Sequence, residues 1–190
     1  MLKNKIANTL NRINQSKHEI KKIYSIGHST HSVAEFLALL KAHHIECVID
    51  VRSIPKSHHY PQFNKDRLKQ LLKIEKITYR HMKELGGFRK TVKNSVNDGW
   101  KNASFRGYAD YMSTPAFQEG LEKLEKIAKK KRCVLMCAEA VPWRCHRNLI
   151  FDALSIKKWK AFHIQSQKTA KRHKITSFAK IRNSHLIYPL

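Results

Sequence analysis

Short apolar runs alternate with amphipathic stretches along the chain from residue 23 onward. The runs Ile23–Ile26, Cys47–Val51 and Cys133–Cys137 have the length and composition of buried strands. Between them, apolar residues recur every three or four positions, as on the buried face of a helix. Strands that alternate with helices in this way predict a mostly parallel sheet with helices on both faces.

The remaining elements follow from the same patterns. Helices are predicted over residues 31–43, 64–74, 117–131 and 144–154, and further strands around Tyr79 and over 161–164. The Asn64 side chain is expected to cap the second helix, and Pro115 stands near the start of the third. Residues 86–107 contain four glycines and few apolar residues, which predicts a long loop.

A length of 190 residues fits one domain. We predict a single three-layer α/β domain over residues 23–190. Residues 1–22 form a basic N-terminal extension, in which apolar residues have the spacing of an amphipathic helix. No apolar run is long enough to cross a bilayer and residues 1–22 lack the core of a secretory signal, so we expect a cytoplasmic protein without membrane contact.

The charge of the chain points to a polyanion. Its net charge is +24, from 38 Lys and Arg against 14 Asp and Glu. Residues 1–22 hold six basic and one acidic residue, and residues 157–190 hold nine basic and no acidic residue. These arms are suited to nucleic acid or another polyanion, whereas a solvated basic surface is the alternative.

Ionisable side chains follow three of the predicted strands, whose carboxyl ends meet at one edge of a parallel sheet. They lie in Gly27–Ser29, Asp50–Arg52, Cys137–Glu139 and Cys145–Arg147. The last segment opens a predicted helix, where free N–H groups and the helix dipole favour an anion. We therefore expect a cleft at this edge that binds an anionic group.

Three residues are the candidates for chemistry. The Cys145 thiol is flanked by basic residues that favour its thiolate form, as a nucleophile requires. His28 is a candidate acid–base group. Glu139 is expected either to act as a general acid or base or to pair with Arg147 or Arg52. An inert, half-buried thiol is the alternative for Cys145.

Other residues of these segments are expected to bind the substrate. Arg52 and Arg147 are suited to hold an anion. Asp50 is expected to orient His28, to hold Arg52 or to accept hydrogen bonds from loop amides. Tyrosine rings can line the pocket or stack on a base. The predicted binding residues are Ser29, Asp50, Arg52, Tyr79, Tyr108, Tyr111, Cys137, His146 and Arg147.

The cysteines also bear on metal binding. His28, Cys137, Cys145 and His146 are the ligands that a zinc ion would use, but the chain contains neither a CxxC pair nor an HExxH helix. The spacing therefore predicts no metal site, and it leaves the cofactor open. Cys47 and Cys133 lie in apolar, strand-like segments and are expected to be reduced core residues.

Six short motifs in this order resemble the domain-of-unknown-function 488 family. They include Pro61-Gln62-Phe63-Asn64, the stretch from Tyr79 to Leu85-Gly86-Gly87 and Tyr108-Ala109-Asp110-Tyr111-Met112, together with the strand-end segments above. The resemblance spans most of residues 23–164, and the tail through Tyr188-Pro189 is similar to the family's closing segment. It implies one family domain but no particular reaction.

These patterns favour an enzyme, a hydrolase or transferase with Cys, His and Glu chemistry. Its cleft is expected to bind a phosphate-bearing substrate, such as a nucleotide or nucleic acid. Two alternatives stay open. One is a non-enzymatic nucleic-acid-binding module that uses the basic arms, and the other is a metal-stabilised regulatory domain.

Overall fold

A computed structural model describes residues 21–182 and 185–190, so the predicted N-terminal helix lies outside the described residues. The strands are β1 (Lys22–Gly27), β2 (Cys47–Asp50), β3 (Thr78–His81), β4 (Cys133–Cys137), β5 (Lys160–Ile164), β6 (Ala170–Arg172), β7 (Lys180–Arg182) and β8 (His185–Ile187). The first six form one sheet in the order β3-β2-β4-β1-β5-β6. β1 to β5 are parallel, β6 is an antiparallel edge, and β7 pairs only with β8.

Helices cover both faces of this sheet. They are α1 (Val33–Ala42), α2 (Lys65–Ile74), α3 (Ala103–Tyr111), α4 (Pro115–Ala128) and α5 (Arg147–Ile156). Side chains of α1 and α2 pack on one face, against Val48 and Val134, and side chains of α3, α4 and α5 pack on the other, against Ile49 and Leu135. Neighbouring strand residues thus face opposite layers, and both faces are apolar. The predicted three-layer α/β architecture is confirmed.

Several local predictions need correction. The Asn64 side chain does not cap α2; its Oδ1 accepts from the Ser57 amide at 2.6 Å. The predicted long loop ends at residue 102, because Asn102 caps α3 through bonds to the amides of Ser104 and Phe105. The helix predicted from residue 144 begins at Arg147, after a short 3-10 turn over Pro142–Arg144. In the described parts of the chain, no helix is long and apolar enough to cross a membrane.

The connections place a crevice between β1 and β4. The chain leaves β1 for α1 on one face, whereas it leaves the neighbouring β4 for α5 on the other. Loops that diverge in this way leave a gap at the carboxyl ends of the two strands, where open α/β sheets bind their ligands. The backbone continues the pairing past both strands, since the His28 amide donates to Cys137 O at 2.9 Å and the Ser29 amide to Ala138 O at 3.0 Å.

A series of buried polar side chains joins the C-terminal segment (residues 170–182 and 185–190) to the rest of the domain. Ser25 Oγ lies 2.7 Å from His163 Nδ1, His163 Nε2 lies 3.1 Å from His173 Nδ1, and His173 Nε2 lies 2.7 Å from Asp152 Oδ1. If the hydroxyl and both Nε2 groups donate in the direction of Asp152, two neutral imidazoles satisfy all three hydrogen bonds. Burial lowers the pKa of His163 to about 3, which agrees with a neutral ring at this position. Tyr188 Oη also donates to Asp152, at 3.0 Å.

The same C-terminal segment holds the loop that follows β3. The Gly99 amide donates to Tyr188 O at 2.9 Å, and the Tyr188 amide donates to Asn97 Oδ1 at 2.9 Å. Asn97 in turn donates to the buried Asp110 of α3 at 2.8 Å. Residues 86–102 are therefore tied to both α3 and the C-terminal segment.

Replacing the buried anion of this network should destabilise the domain. Asp152→Asn turns an oxygen acceptor into an amide that cannot serve every donor, and we expect it to lower the free energy of unfolding by about 3 to 5 kcal/mol. Asp98→Asn is the matched control, because Asp98 is exposed and accepts a hydrogen bond from the exposed Leu190 amide. It should change stability by less than about 0.5 kcal/mol. Chemical denaturation measures both, and equal effects would show that Asp152 has no special structural role.

Candidate functional site

A cleft of about 650 Å³ opens at the predicted crevice. Its walls come from the loops after β1, β2 and β4, from Gly87 and Phe88 of the loop after β3, and from α3. Ser53 Oγ donates to Gly87 O at 2.7 Å, which joins two of these loops. Such concave sites, with apolar walls and a few polar groups, are the usual form of a ligand pocket.

The cleft brings together most of the residues that the sequence singles out. His28, Arg52, Tyr108, Cys137, Glu139, Cys145 and His146 line it. Ser29, Asp50, Tyr79, Tyr111 and Arg147 are not part of the lining. Asp50 and Arg147 are fully buried behind it, whereas Tyr111 Oη donates to Glu84 O at 2.8 Å and its ring lies 3.6 Å from the Arg89 guanidinium carbon.

Two cysteine sulfurs lie at the floor of the cleft, and the Arg147 guanidinium is buried directly behind them. Cys145 Sγ lies 2.8 Å from Cys137 Sγ and accepts a hydrogen bond from Arg147 Nε at 3.3 Å. Arg147 Nη2 donates to Glu139 O, while Nη1 has no hydrogen-bond partner among the described residues. Within residues 21–182 and 185–190 no carboxylate forms a salt bridge with Arg147, although its side chain is fully buried.

This arrangement makes the two thiols unequal. Burial alone would raise the pKa of Cys145, but the hydrogen bond with Cys137 and the charge of Arg147 outweigh it and hold that pKa well below its usual range. Burial and the hydrogen bond to Cys145 raise the pKa of Cys137 well above its usual range. A buried cation needs a nearby anion, and Cys145 Sγ is the hydrogen-bonded group that can carry that charge. The directions of the two shifts make Cys137 the donor and Cys145 the acceptor of the bond between the sulfurs.

His146 completes the surroundings of the thiol. Its Nε2 lies 2.9 Å from Val51 O, and because a carbonyl only accepts, this nitrogen carries the proton in the neutral ring. Nδ1 then presents a lone pair to Cys145 Sγ at 3.6 Å. A thiol whose histidine neighbour is oriented by a third group is the arrangement of an activated nucleophile. From the sequence, His146 was expected to bind the substrate, or to act as a ligand if a metal were bound.

The predicted Asp50, Arg52 and Tyr79 form one buried cluster. Asp50 accepts from Arg52 Nε at 2.9 Å, from Arg52 Nη2 at 2.6 Å and from Tyr79 Oη at 2.6 Å. Of the three roles that the sequence left open for Asp50, holding Arg52 is therefore realised, together with a bond to the Arg52 amide at 3.1 Å. The remaining Arg52 nitrogen, Nη1, lies 3.3 Å from His28 Nε2.

His28 reaches the cleft as a neutral ring. Burial lowers the pKa of His28 to about 4, and the Arg52 guanidinium acts in the same direction. Its Nδ1 lies 3.2 Å from Ser29 O, and its ring stacks on Phe63 with centroids 4.4 Å apart. His28 therefore carries no positive charge at neutral pH, and its Nε2 accepts from Arg52.

Glu139 differs from the buried carboxylate that the sequence suggested. Its side chain is exposed, and Oε1 accepts a hydrogen bond from the Val141 amide at 3.3 Å. It pairs with neither arginine: Arg52 binds Asp50, and Arg147 binds the Glu139 carbonyl. Gly27 lets that carbonyl approach β1, because a Cβ on Gly27 would lie 2.0 Å from Glu139 O.

Several lining residues were not predicted. The exposed cations Lys56 and Arg144 border the cleft, as do the aromatic rings of Phe88 and Phe105. Phe88 is 87% exposed. Lys56 stands in an irregular segment without a motif around it, so the sequence carried no signal for it. Phe88 follows the Leu85-Gly86-Gly87 motif and Arg144 adjoins the predicted Cys145, so these two could have been found.

The metal-binding alternative finds no geometric support. In the described parts of the chain, no group of three or more Cys, His, Asp or Glu side chains is arranged to hold a metal ion. Cys137, Cys145 and His146 are close together, but the sulfurs face one another and His146 Nε2 faces a carbonyl.

Replacing Arg147 by a neutral residue should return the pKa of the Cys145 thiol toward its usual range. In Arg147→Gln we expect the pH at which Cys145 ionises to rise by about 1 to 3 pH units, whereas Arg147→Lys keeps the charge and a low value. Thiolate absorbance at 240 nm, corrected with Cys145→Ser, follows the ionisation. Arg144→Gln is the matched control, since it removes one exposed cation from the same cleft. Equal midpoints in Arg147→Gln and the wild type would refute the ion pair.

Comparison with known proteins agrees with the resemblance noted in the sequence. No curated protein and no solved structure matches the chain. A family model described as Domain of unknown function DUF488 matches residues 32–154, which include Arg52 and the segment from Cys137 to Arg147. The match covers well over half of the chain and leaves β1 and the residues after α5 outside it. The chain therefore belongs to the DUF488 family.

Proposed function

We propose that this protein is an enzyme that binds an anionic substrate in the strand-end cleft and attacks it with the Cys145 thiolate, as a transferase or hydrolase. One observation carries the proposal. The Cys145 sulfur lies at the floor of an open cleft, 3.3 Å from a buried Arg147 nitrogen that has no carboxylate partner in the described residues. Nucleophilic cysteines occupy such electropositive surroundings, and structural buried thiols do not.

His146 is the proton acceptor in this proposal. Its Nδ1 lone pair faces the sulfur, and the Val51 carbonyl fixes the ring. It takes the thiol proton when the thiolate is not already formed, and it returns a proton to the departing group. The exposed Glu139 carboxylate can exchange protons with solvent, and the neutral His28 adds a polar group to the lining of the same cleft.

The charges of the lining favour an anionic substrate. Arg52, Lys56 and Arg144 line the cleft with Glu139 as the only carboxylate among the lining residues. Arg52 is neutralised by Asp50, so the exposed Lys56 and Arg144 carry the excess positive charge. The aromatic rings of the cleft add flat apolar surface. A nucleotide, or a base and phosphate of a nucleic acid, combines the two features that such a site recognises.

Nucleic-acid binding by the C-terminal segment is the second candidate function. Lys171, Arg172, Lys180 and Arg182 are exposed on β6 and β7, and residues 157–190 contain no acidic residue. None of these four forms a salt bridge with a described residue. A surface of this kind attracts phosphate groups and releases counterions when it binds them.

The thiolate and the cationic cleft can be tested together by alkylation. Iodoacetate is an anion and iodoacetamide is neutral, so the ratio of their rates at one thiol reports the local charge. We expect Cys145 to react at neutral pH, and its iodoacetate-to-iodoacetamide ratio to exceed that of glutathione by about tenfold or more. Mass spectrometry of the peptides assigns the site, and the buried Cys47 and Cys133 should stay unlabelled in the folded protein.

Matched variants test the cationic cleft separately from the reactivity of the Cys145 thiolate. The double variant Lys56→Ala, Arg144→Ala should lower the ratio toward that of glutathione without slowing iodoacetamide. Lys65→Ala, Lys69→Ala removes two exposed cations that do not line the cleft and should leave the ratio unchanged. If Cys145 does not react, the proposed nucleophile is refuted. If its iodoacetate-to-iodoacetamide ratio equals that of glutathione, the preference for an anionic substrate is refuted.

The second candidate predicts a salt-dependent affinity for nucleic acid. Replacing Lys171, Arg172, Lys180 and Arg182 by Ala should weaken binding to a labelled single-stranded oligonucleotide. It should also flatten the dependence of log affinity on log salt by about one for each lost contact. Fluorescence anisotropy measures both. The control removes four exposed cations from α2 (Lys65, Arg67, Lys69 and Lys73), and an equal loss there would indicate nonspecific attraction only.

A further inference from the structure

The two cysteine sulfurs at the cleft floor are close enough to form a disulfide bond after a small movement. Cys137 Sγ and Cys145 Sγ are 2.8 Å apart, and a disulfide bond is about 2.05 Å long. The sulfurs would therefore have to approach by less than about 1 Å to bond. Both are free cysteines and both line the cleft, so an oxidant that enters it reaches them.

The backbone around the pair allows this small approach. Cys137 is the last residue of β4 and is held by the sheet. Cys145 follows the short turn Pro142–Arg144 and precedes α5, with extended backbone angles of φ −135° and ψ 144°. The connecting residues 138–144 are exposed or half-buried, which leaves them room to adjust. One sulfur is therefore fixed and the other stands on an adaptable segment.

The two thiols also differ in chemical role. Cys145 Sγ accepts a hydrogen bond from the Arg147 cation at 3.3 Å, which stabilises its anionic form, and it lies 3.6 Å from His146 Nδ1. Cys137 is held by the Glu139 amide at 3.3 Å and keeps its proton. Redox pairs that work through a sulfenic acid need this division between an attacking thiolate and a nearby thiol that resolves the product.

We propose that Cys137 and Cys145 form a reversible redox pair that reduces a hydroperoxide and switches off the nucleophile while it is oxidised. The inference rests on the proposed function for its thiolate at Cys145, but not for the substrate of that function. The oxidant is a hydroperoxide and the reductant is a dithiol.

The chemistry balances in three steps. The Cys145 thiolate attacks the terminal oxygen of the peroxide, an S–O bond forms, the O–O bond breaks, and the leaving alkoxide or hydroxide takes a proton from solvent. The Cys137 thiol then loses its proton, attacks the sulfenic sulfur and forms the S–S bond, while the departing hydroxide takes that proton and leaves as water. A dithiol reduces the disulfide by exchange, which restores both cysteines and leaves the dithiol oxidised.

The buried guanidinium makes the disulfide easy to reduce. Oxidation removes the thiolate, and Arg147 then has no anion within the described residues while it stays fully buried. The reduced form is therefore favoured by an ion pair that the oxidised form lacks. A disulfide of this kind belongs to a catalytic or regulatory site, since structural disulfides resist reduction.

Stoichiometric oxidation of the full chain tests the inference. Reduced protein is treated with one equivalent of hydrogen peroxide, blocked with iodoacetamide under denaturing conditions and mapped by mass spectrometry. We expect a Cys137–Cys145 disulfide, a loss of two hydrogen atoms and two blocked thiols instead of four, and full recovery after dithiothreitol. Cys47 and Cys133, which pair in register on β2 and β4 away from the cleft, are the internal control and should stay reduced.

Two variants identify the roles. Cys137→Ser should stop the reaction at a sulfenic acid on Cys145 that dimedone traps, whereas the wild type should give little adduct. Cys145→Ser should leave Cys137 unoxidised. Circular dichroism confirms that each variant is folded before it is used.

The outcomes separate this inference from the proposed function. If Cys145 reacts with iodoacetamide at neutral pH but peroxide gives no Cys137–Cys145 disulfide, the redox pair is overturned and the nucleophile stands. A disulfide between Cys47 and Cys133, or equal dimedone labelling of the wild type and Cys137→Ser, also overturns it. If Cys145 reacts with neither reagent, both proposals fail.

Discussion

The strand-end site depends on a guanidinium group that has no access to water. Such a cation is tolerated inside a protein only where hydrogen bonds and an anion replace its hydration. Arg147 finds the Glu139 carbonyl and the Cys145 sulfur, and in the described residues no carboxylate takes that place. The same side chain thereby fixes the loop after β4 against the start of α5 and favours a thiolate at the floor of the cleft. One buried side chain therefore determines both the local backbone contacts and the charge next to the Cys145 sulfur.

The architecture could be predicted from the sequence because it follows from burial. Strands covered on both faces are continuous apolar runs, and Cys133–Cys137 was recognisable for that reason. Elements held by particular contacts were not recognisable. Helix α3 begins within a glycine-containing polar stretch, where Asn102 and the packing of Tyr108 outweigh weak helical periodicity. The strands β6, β7 and β8 are three residues long, which is too short for a recognisable pattern.

The candidate site was predictable in its location but less so in its contacts. Parallel strands bring their carboxyl ends together, so the convergence of His28, Cys137 and Cys145 follows from topology. Which groups pair cannot be read from residue order. Glu139 was expected at a buried strand end, but the chain turns outward directly after Cys137, and the side chain is exposed while the backbone carbonyl binds Arg147. The direction in which His146 presents its lone pair depends on the Val51 carbonyl, which is 95 positions earlier.

The position of β1 in the sheet shows that the range matched by the family model is shorter than the range that forms the sheet. The family match begins at residue 32, after β1 has ended, and it stops before β5 begins. Yet β1 lies between β4 and β5 and hydrogen-bonds to both. A fragment trimmed to the matched range would therefore expose one whole edge of β4 to solvent and to other chains, and unpaired edges of buried strands promote aggregation. Expression fragments that keep the six-stranded sheet intact must start at or before Lys22 and extend past Arg172.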